Sequence, residues 1–284
     1  MLTEDRRDAP AGAFVTRLDP ATGVAEVRMC GTGAGNAMGA LVWAELPRVV
    51  QALAADDQVR AVVLRGEADC FSVGLDLRWY LTHYRRLVRA GDELGLRQRL
   101  LAEAEQMQQA INAVATTRLP VIAAVHGACV GAGLDLAAAC DIRLASADAY
   151  FSLREVRIGV VADLGSLQRL PRLIGAGPTR ELALTGRDLP ADEAYRHGLV
   201  SAVLPAATEL FARASALAAQ IAGYPCHVVA GIKDVLDRTQ DLPVSAGLRY
   251  VNVFNAAFLP SPHLPDLLAR ALRNGVEPGA GECA

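Results

Sequence analysis

The sequence predicts an α/β fold in which a core of short strands and helices is followed by an almost wholly helical region. Apolar runs bounded by charged or glycine residues indicate buried strands at 61–64, 121–125 and 142–145. Beyond residue 205, apolar residues recur at helical spacing in the segments 206–223, 226–238, 243–258 and 264–273. We therefore predict a disordered N-terminus at 1–12, a core at 13–204 and a helical region at 205–284.

In the first half of the core, the elements follow from simple patterns. Alternating apolar and polar residues at 14–18 and 23–29 predict a β-hairpin. A helix is expected over 37–55, with a kink or break at Pro47. Residues 78–99 are rich in Arg and Tyr and carry no clear pattern, whereas 97–117 reads as an amphipathic helix.

Composition narrows the class of protein. The chain has 284 residues, 52% of them hydrophobic, and its 28 basic and 31 acidic residues give a formal net charge of −3. A charge so near balance argues against a nucleic-acid partner. No apolar run is long enough to cross a membrane, and the charged N-terminus lacks the apolar segment of a secretory signal. Six Cys without CxxC spacing suit free thiols in a reducing compartment, so we expect a cytoplasmic protein.

Familiar cofactor and metal motifs are missing from the sequence. The glycines at 31–35 lack GxGxxG spacing, so we interpret them as a loop rather than a dinucleotide site. Five His show no ligand spacing such as HExxH, so no metal is expected.

Two glycine turns are candidates for binding a developing negative charge. The predicted strand 121–125 leads through 126–133 (HGACVGAG) into a helix, which would present backbone N–H groups at a helix start. A second turn, 71–77 (FSVGLDL), follows another strand. Two such turns could supply two N–H donors to one oxygen. The alternative is that the glycines only permit tight packing and tight turns.

Three carboxylates lie in apolar surroundings, namely Asp135, Glu155 and Asp163. Carboxylates that share a desolvated pocket have raised, interdependent pKa values, which suits general acid–base chemistry. The alternative is a set of structural acids in salt bridges, since Arg143, Arg154 and Arg157 are close in sequence.

The helix predicted at 243–258 is apolar on most sides, with residues such as Leu248, Tyr250, Val253 and Phe258. A surface helix of a monomer would keep a polar face. This helix is therefore expected to pack against something larger than itself, such as another subunit.

Several of these stretches together resemble the enoyl-CoA hydratase/isomerase family, which has the crotonase fold. They are 71–77, 121–141, QRLP at 168–171 and 184–203 (LTGRDLPADEAYRHGLVSAV). The resemblance implies a ClpP-like spiral of repeated ββα units with a helical C-terminal trimerisation region. It also implies homotrimers or hexamers made of two trimers, and an acyl-CoA thioester as ligand. Coenzyme A is then part of the substrate, and no separate cofactor is needed.

The same resemblance assigns roles to residues of the two glycine turns. The backbone N–H groups of Leu75 and Ala132 would form the oxyanion hole. The family usually has Gly at the second position, and the Ala methyl narrows the pocket while leaving the N–H able to donate. The neighbouring residues implied to contact the substrate are Val73, Gly74, Asp76, Leu77, Gly131 and Gly133.

The acids indicate a branch of the family. Hydratases have two Glu at the positions of Asp135 and Glu155, and typically Gly at that of Asp163. The stretches 140–143 and 154–171 instead look like the Δ3,5-Δ2,4-dienoyl-CoA isomerase branch, which carries Asp, Glu and Asp at the three positions. The alternatives are a 2-enoyl-CoA hydratase and a non-catalytic acyl-CoA-binding protein.

Isomerisation gives each acid a task. A 3,5-diene becomes a 2,4-diene by losing a proton at C2 and gaining one at C6, carbons too far apart for one carboxylate. The family's matching Glu acts at C2, so Glu155 is assigned there and Asp163 to C6, with Asp135 as a supporting acid.

Overall fold

The computed structural model of the protein describes residues 12–31, 34–67, 69–90, 93–259 and 264–274. Most of the predicted N-terminal segment, residues 1–11, lies outside this part of the chain. Contacts divide the protein into two units, 1–226 and 227–284. The division falls later than the predicted boundary at 204/205 because the first C-terminal helix packs on the core, as described below.

The first unit contains two sheets and the helices that cover them. Its strands are β1 (Phe14–Asp19), β2 (Val24–Met29), β3 (Ala61–Gly66), β4 (Val121–Val125), β5 (Ala128–Val130), β6 (Ile142–Ser146), β7 (Tyr150–Ser152), β8 (Asp188–Pro190) and β9 (Val203–Leu204). Its helices are α1 (Ala40–Ala55), α2 (Leu77–Ala90), α3 (Glu93–Thr116), α4 (Ala132–Ala139), α5 (Ser166–Ile174), α6 (Ala176–Thr185), α7 (Ala191–Arg196) and α8 (Ala207–Ala222).

The larger sheet has the order β1-β2-β3-β4-β6-β9 and is parallel except for β1. The hairpin predicted at its edge is confirmed, since β1 pairs antiparallel with β2 from Phe14↔Met29 to Asp19↔Val24. The smaller sheet, β5-β7-β8, follows directly after β4 along the chain. It therefore carries the chain from the large sheet to the glycine turn at 131.

Both faces of the parallel sheet are buried, which explains why its strands are continuous apolar runs. In β3, Val62 and Leu64 belong to a core shared with α1, α3 and α4, while Ala61 and Val63 face the opposite core. That opposite core is closed by α8, whose Leu210, Ala214, Ala218 and Ala222 recur every four residues along one face. Helix α8 thus packs on the larger sheet as part of the first unit.

In the second unit, α9 (Cys226–Thr239), α10 (Val244–Phe258) and α11 (Leu264–Asn274) follow one another. Gly231 lets α9 approach α10, because a Cβ there would come within 2.4 Å of the Phe254 ring. The Tyr250 hydroxyl donates a hydrogen bond to Asp234. No residue of α10 is buried, so the prediction that this helix packs against a larger partner stays a prediction.

The structure differs from two local predictions. Helix α1 continues through Pro47, so the break that was one of the two predicted outcomes is absent. The unassigned stretch 78–99 forms α2 and the start of α3, which is therefore longer than the helix predicted at 97–117. Within the part of the chain described, no helix is long and apolar enough to cross a membrane.

Candidate active site

The turn that precedes α2 is held by two neighbouring segments. Ser72 bridges Cys129 of β5, and Leu75 bridges Met38. The Met38 N–H donates to the Gly74 carbonyl at 2.7 Å, and the Asp76 N–H donates to the Met38 carbonyl at 3.1 Å. In such a parallel bridge the intervening residue, Leu75, points its own N–H away from Met38.

This turn packs closely against the start of α4 at Gly74, which has no side chain to keep them apart. A Cβ on Gly74 would lie 3.2 Å from the Ala132 backbone nitrogen and 2.5 Å from the Val130 carbonyl oxygen. Ala132 is the first residue of α4, where N–H groups have no partner inside the helix. Among the residues placed in the structure, neither Leu75 nor Ala132 has an acceptor for its N–H. The geometry therefore fits the predicted oxyanion hole, whose use by a substrate stays a prediction.

Glu155 lies directly beside this point. It begins a short 3₁₀ turn, Glu155–Ile158, and a Cβ on Gly131 would be 3.0 Å from its Oε1. Its Oε2 is buried and accepts no hydrogen bond from any residue that the structure describes. Burial raises the pKa of Glu155, and the negative charge of Asp163 raises that pKa further.

Asp135 lies on α4 and is only 1% exposed. Its Oδ1 accepts a hydrogen bond from the Ser166 N–H at 2.5 Å and another from the Ser166 hydroxyl. Burial raises the pKa of Asp135 to about 7 despite these bonds, and the charge of Glu155 adds to the rise. Near neutral pH both the protonated and the ionised form of this carboxyl are therefore populated.

Asp163 completes the set from a different direction. Its pKa is raised by burial, and its backbone carbonyl accepts a 2.8 Å hydrogen bond from Gln108 of α3. Tyr80 of α2 has a raised pKa chiefly because of burial, with the charges of Glu103 and Asp163 contributing. Asp163 is thus flanked by α2 and α3.

The arginines near the acids in sequence do not pair with them. Arg154 binds Asp188 at 2.7 Å, and Arg157 donates to the Gly186 carbonyl at 2.6 Å. Arg143 donates to backbone carbonyls, including that of Cys140 at 2.6 Å. In the described part of the chain, the three acids therefore have no salt bridge, which contradicts the reading of them as structural ion pairs.

The other predicted contact residues shape the turns. The Asp76 carboxylate accepts the N–H groups of Arg78 and Trp79, both at 3.0 Å, and so caps α2. Val73 and Leu77 expose apolar side chains. A Cβ on Gly133 would meet Ser72 at 2.9 Å, so this glycine serves close packing. Substrate contact by these residues stays a prediction.

Sequence reasoning missed the residues that support the site. Ser166 could have been found, because a Ser between Gly165 and an apolar helical pattern marks a helix start. Asn36 could not, since its carbonyl receives the Ser72 hydroxyl across 36 residues of sequence. Within the described residues, no cluster of three or more His, Cys, Asp or Glu could hold a metal ion.

Comparison with known proteins assigns this chain to a family. A family model described as enoyl-CoA hydratase/isomerase matches residues 19–256. The chain belongs to the enoyl-CoA hydratase/isomerase family. It is 38% identical over 234 residues to the peroxisomal Δ3,5-Δ2,4-dienoyl-CoA isomerase of Arabidopsis thaliana, covering 82% of this chain and 84% of the relative.

Two further members extend the comparison. The mitochondrial Δ3,5-Δ2,4-dienoyl-CoA isomerase of Homo sapiens is 38% identical over 231 residues, covering 81% of this chain and 70% of the relative. A crystal structure of a putative enoyl-CoA hydratase from Streptomyces coelicolor superimposes with a TM-score of 0.83 at 27% identity, covering 96% of each chain. The predicted family and its α/β crotonase fold with a helical C-terminal region are thereby confirmed.

Proposed function

We propose that this enoyl-CoA hydratase/isomerase family member is an acyl-CoA isomerase that converts 3,5-dienoyl-CoA to 2,4-dienoyl-CoA in fatty-acid β-oxidation. One observation carries the proposal: within the described residues Asp135, Glu155 and Asp163 all have raised pKa values and no salt bridge, and Glu155 lies beside Gly131, the residue before Ala132. The relatives named dienoyl-CoA isomerase support it.

The reaction begins at the thioester end of the substrate. The carbonyl oxygen accepts hydrogen bonds from the N–H groups of Leu75 and Ala132. Glu155, in its ionised form, removes a proton from C2, and the electron pair spreads over the diene and the carbonyl oxygen. The two fixed N–H donors stabilise the resulting dienolate, a contribution that typically reaches 10²–10³-fold per donor.

The reaction ends at the far side of the diene. Asp163 in its protonated form delivers a proton to C6, and the double bonds move from positions 3 and 5 to 2 and 4. Its raised pKa favours the protonated form that this step needs. Glu155 is left protonated and Asp163 ionised, and proton exchange with water restores both. Asp135 supports the pair through its charge.

The wider set of contacts belongs to the same proposal. The acyl-CoA thioester would touch the two turns through Val73, Gly74, Asp76, Leu77, Gly131 and Gly133. Coenzyme A arrives as part of the substrate, so the chemistry needs no separate cofactor. We also propose a homotrimer or a hexamer of two trimers, in the cytoplasm, although the named relatives are peroxisomal or mitochondrial.

A 2-enoyl-CoA hydratase is the second candidate. The mutual influence of the Asp135 and Glu155 charges favours it, because two adjacent acids could position and activate water. The structural neighbour named as a putative hydratase is consistent with it. A non-catalytic acyl-CoA-binding protein is a weaker candidate, since it gives no reason for three unpaired acids.

An ultraviolet assay on two substrates tests the proposal. Purified protein should convert a 3,5-dienoyl-CoA to the 2,4-dienoyl product, whose diene is conjugated with the thioester and absorbs more strongly. Hydration of a 2-enoyl-CoA should be much slower. Fast hydration without isomerisation would show that the protein is a hydratase instead. If the protein shows neither activity, the non-catalytic binding protein is favoured.

A further inference from the structure

Ser166 holds one side of the Asp135 carboxylate at the start of α5. Ser166 is 0% exposed and Asp135 is 1% exposed. Oδ1 of Asp135 accepts both the Ser166 N–H and the Ser166 hydroxyl. Within the described part of the chain, Oδ2 accepts no hydrogen bond. One oxygen is therefore fixed by two donors while the other remains without a partner.

The charged and titratable groups around Asp135 do not replace these donors. From the 3₁₀ turn, the charge of Glu155 raises the pKa of Asp135, while Arg169 of α5 lowers it. Arg169 forms no ion pair with Asp135, because its Nη2 donates to Asn112 Oδ1 at 2.5 Å. From β5, the Cys129 thiol has a pKa raised chiefly by burial, with the charge of Asp135 contributing.

The ionised form of Asp135 thus depends on neutral donors. The hydrogen bonds of the Ser166 hydroxyl and N–H lower the pKa of Asp135, and the positive end of α5 favours the same form. Burial and Glu155 act in the opposite direction. These opposing effects leave the pKa of Asp135 at about 7. The loss of a single donor would therefore change the charge of this carboxyl at physiological pH.

We propose that Ser166 is a positioning residue for this reaction, which holds the Asp135 carboxylate ionised and in one orientation beside Glu155. The proposal rests on the proposed isomerase function for its effect on rate. Its effect on the titration of Asp135 does not depend on any substrate.

The test compares S166A with S166T, which keeps the hydroxyl, and with S146A as a matched control. Ser146 is also 0% exposed, but among the described residues its hydroxyl has no hydrogen-bond partner. Infrared titration follows the C=O band of protonated Asp135, identified as the buried carboxyl band that is lost in D135N. We expect the midpoint to rise by about one pH unit in S166A, because a hydrogen bond to a charged group is lost. It should stay near the wild-type value in S166T and S146A.

Kinetics provide the second readout. The acid limb of the kcat–pH profile on 3,5-dienoyl-CoA should move upward with the infrared midpoint, so that S166A loses about tenfold in kcat below it. A midpoint that is unchanged in S166A, an equal shift in S146A, or a kcat profile that does not follow the midpoint would each overturn the proposal.

Two complications have defined readings. If S166A does not fold, S166C offers a weaker donor of similar size, and its midpoint should rise by a smaller amount in the same direction. No rise in S166C would then overturn the proposal. If the wild-type protein does not isomerise dienoyl-CoA at any pH, the proposed function fails, and the infrared midpoints alone decide the role of Ser166.

Discussion

Asp135, Glu155 and Asp163 have raised pKa values and, within the described residues, form no salt bridge. A carboxyl as buried as Asp135, which is 1% exposed and has no ion pair among the described residues, is rare in proteins unless it takes part in chemistry. These three acids were predictable from the sequence because each stands in an apolar stretch. Ser166 was predictable only as the start of a helix, and its hydrogen bonds to Asp135 were not, because the two residues are 31 positions apart in sequence.

Replacing the acids one at a time should order their roles. Asp163→Asn should lower kcat for 3,5-dienoyl-CoA at least a hundredfold, because C6 loses its proton donor. Glu155→Gln should be equally damaging, whereas Asp135→Asn should cost less. Acyl-CoA affinity should change little in all three. Stopped-flow absorbance and equilibrium binding would measure both quantities.

The hydratase candidate predicts a different order. There, Asp135 and Glu155 are both essential and Asp163 is dispensable. Full activity of Asp163→Asn on a 3,5-dienoyl-CoA would therefore refute the isomerase mechanism. The same variant assayed on a 2-enoyl-CoA would show whether hydration takes its place.

Ser72 is expected to position the turn 71–77, which carries Leu75 of the proposed oxyanion hole. Its buried hydroxyl donates to the Asn36 carbonyl at 2.8 Å and accepts the Gly74 N–H at 3.0 Å. Ser72→Ala leaves both groups unpaired next to Leu75, so we expect kcat to fall about tenfold with a smaller change in KM. Thr179→Val removes another buried hydroxyl bond, to Gly175 at 2.8 Å on α6, and should leave kcat unchanged. A similar kcat for both variants would contradict the prediction.

At the level of secondary structure, helix α4 is fixed at its C-terminal end by Arg143. This buried guanidinium donates to the Cys140 carbonyl at 2.6 Å, the Leu199 carbonyl at 2.9 Å and the Ala137 carbonyl at 3.4 Å. These carbonyls belong to the end of α4 and to the segment before β9. Arg143 therefore caps the C-terminal end of α4 by donating to its free carbonyl groups.

Arg143→Met should lower the free energy of unfolding by about 3 kcal/mol, because buried carbonyls lose charged donors. Urea denaturation would measure the loss. Arg196→Met is the matched control: its 2.7 Å ion pair with Asp192 is exposed, so its cost should stay below about 0.5 kcal/mol. Equal costs for the two variants would contradict a capping role.

Several elements were predictable because their apolar patterns are simple, such as the alternation in β1 and β2 and the continuous apolar run of β4. The stretch 78–99 was not, since polar and aromatic residues mask the helical period of α2 until its contacts with α3 are known. The packing of α8 on the larger sheet was also not predictable from the sequence. Its stripe of Leu210 and three alanines indicates only a buried face, and the sheet that receives it is distant in sequence.

For the molecule as a whole, the raised pKa of Asp135 links stability to pH. In the folded protein the pKa of Asp135 is about 7, whereas the pKa of an Asp in the unfolded chain is 3.8. Between these values the folded state binds more protons, so the free energy of unfolding should fall as pH rises, by roughly 4 kcal/mol from this group.

Asp135→Asn removes this titration. Relative to wild type, the variant should gain stability as the pH rises from about 4 to about 7 and show no further gain above that, as measured by urea denaturation at each pH. Wild-type and variant curves that run parallel would show that Asp135 does not titrate in this range.

The assembly prediction also concerns the whole molecule. On α10, Leu248, Val253 and Phe258 are 57%, 71% and 51% exposed, which is more apolar surface than one helix of a monomer usually shows. We expect light scattering to give three or six times the 30.0 kDa chain mass at micromolar concentration, and Val253→Glu to reduce it. A stable wild-type monomer would refute the prediction.

Helix α4 has a further consequence for how the enzyme can diverge. All eight of its residues are buried, and the one helix carries both the Ala132 donor and Asp135. These two groups therefore move as a single rigid body, and little reorganisation is needed when charge develops on the substrate. Asp163 arrives on a separate, partly open segment. On the proposed mechanism, substitutions around Asp163 could adapt the distal end to acyl chains of different shape while the proposed groups on α4 stay unchanged.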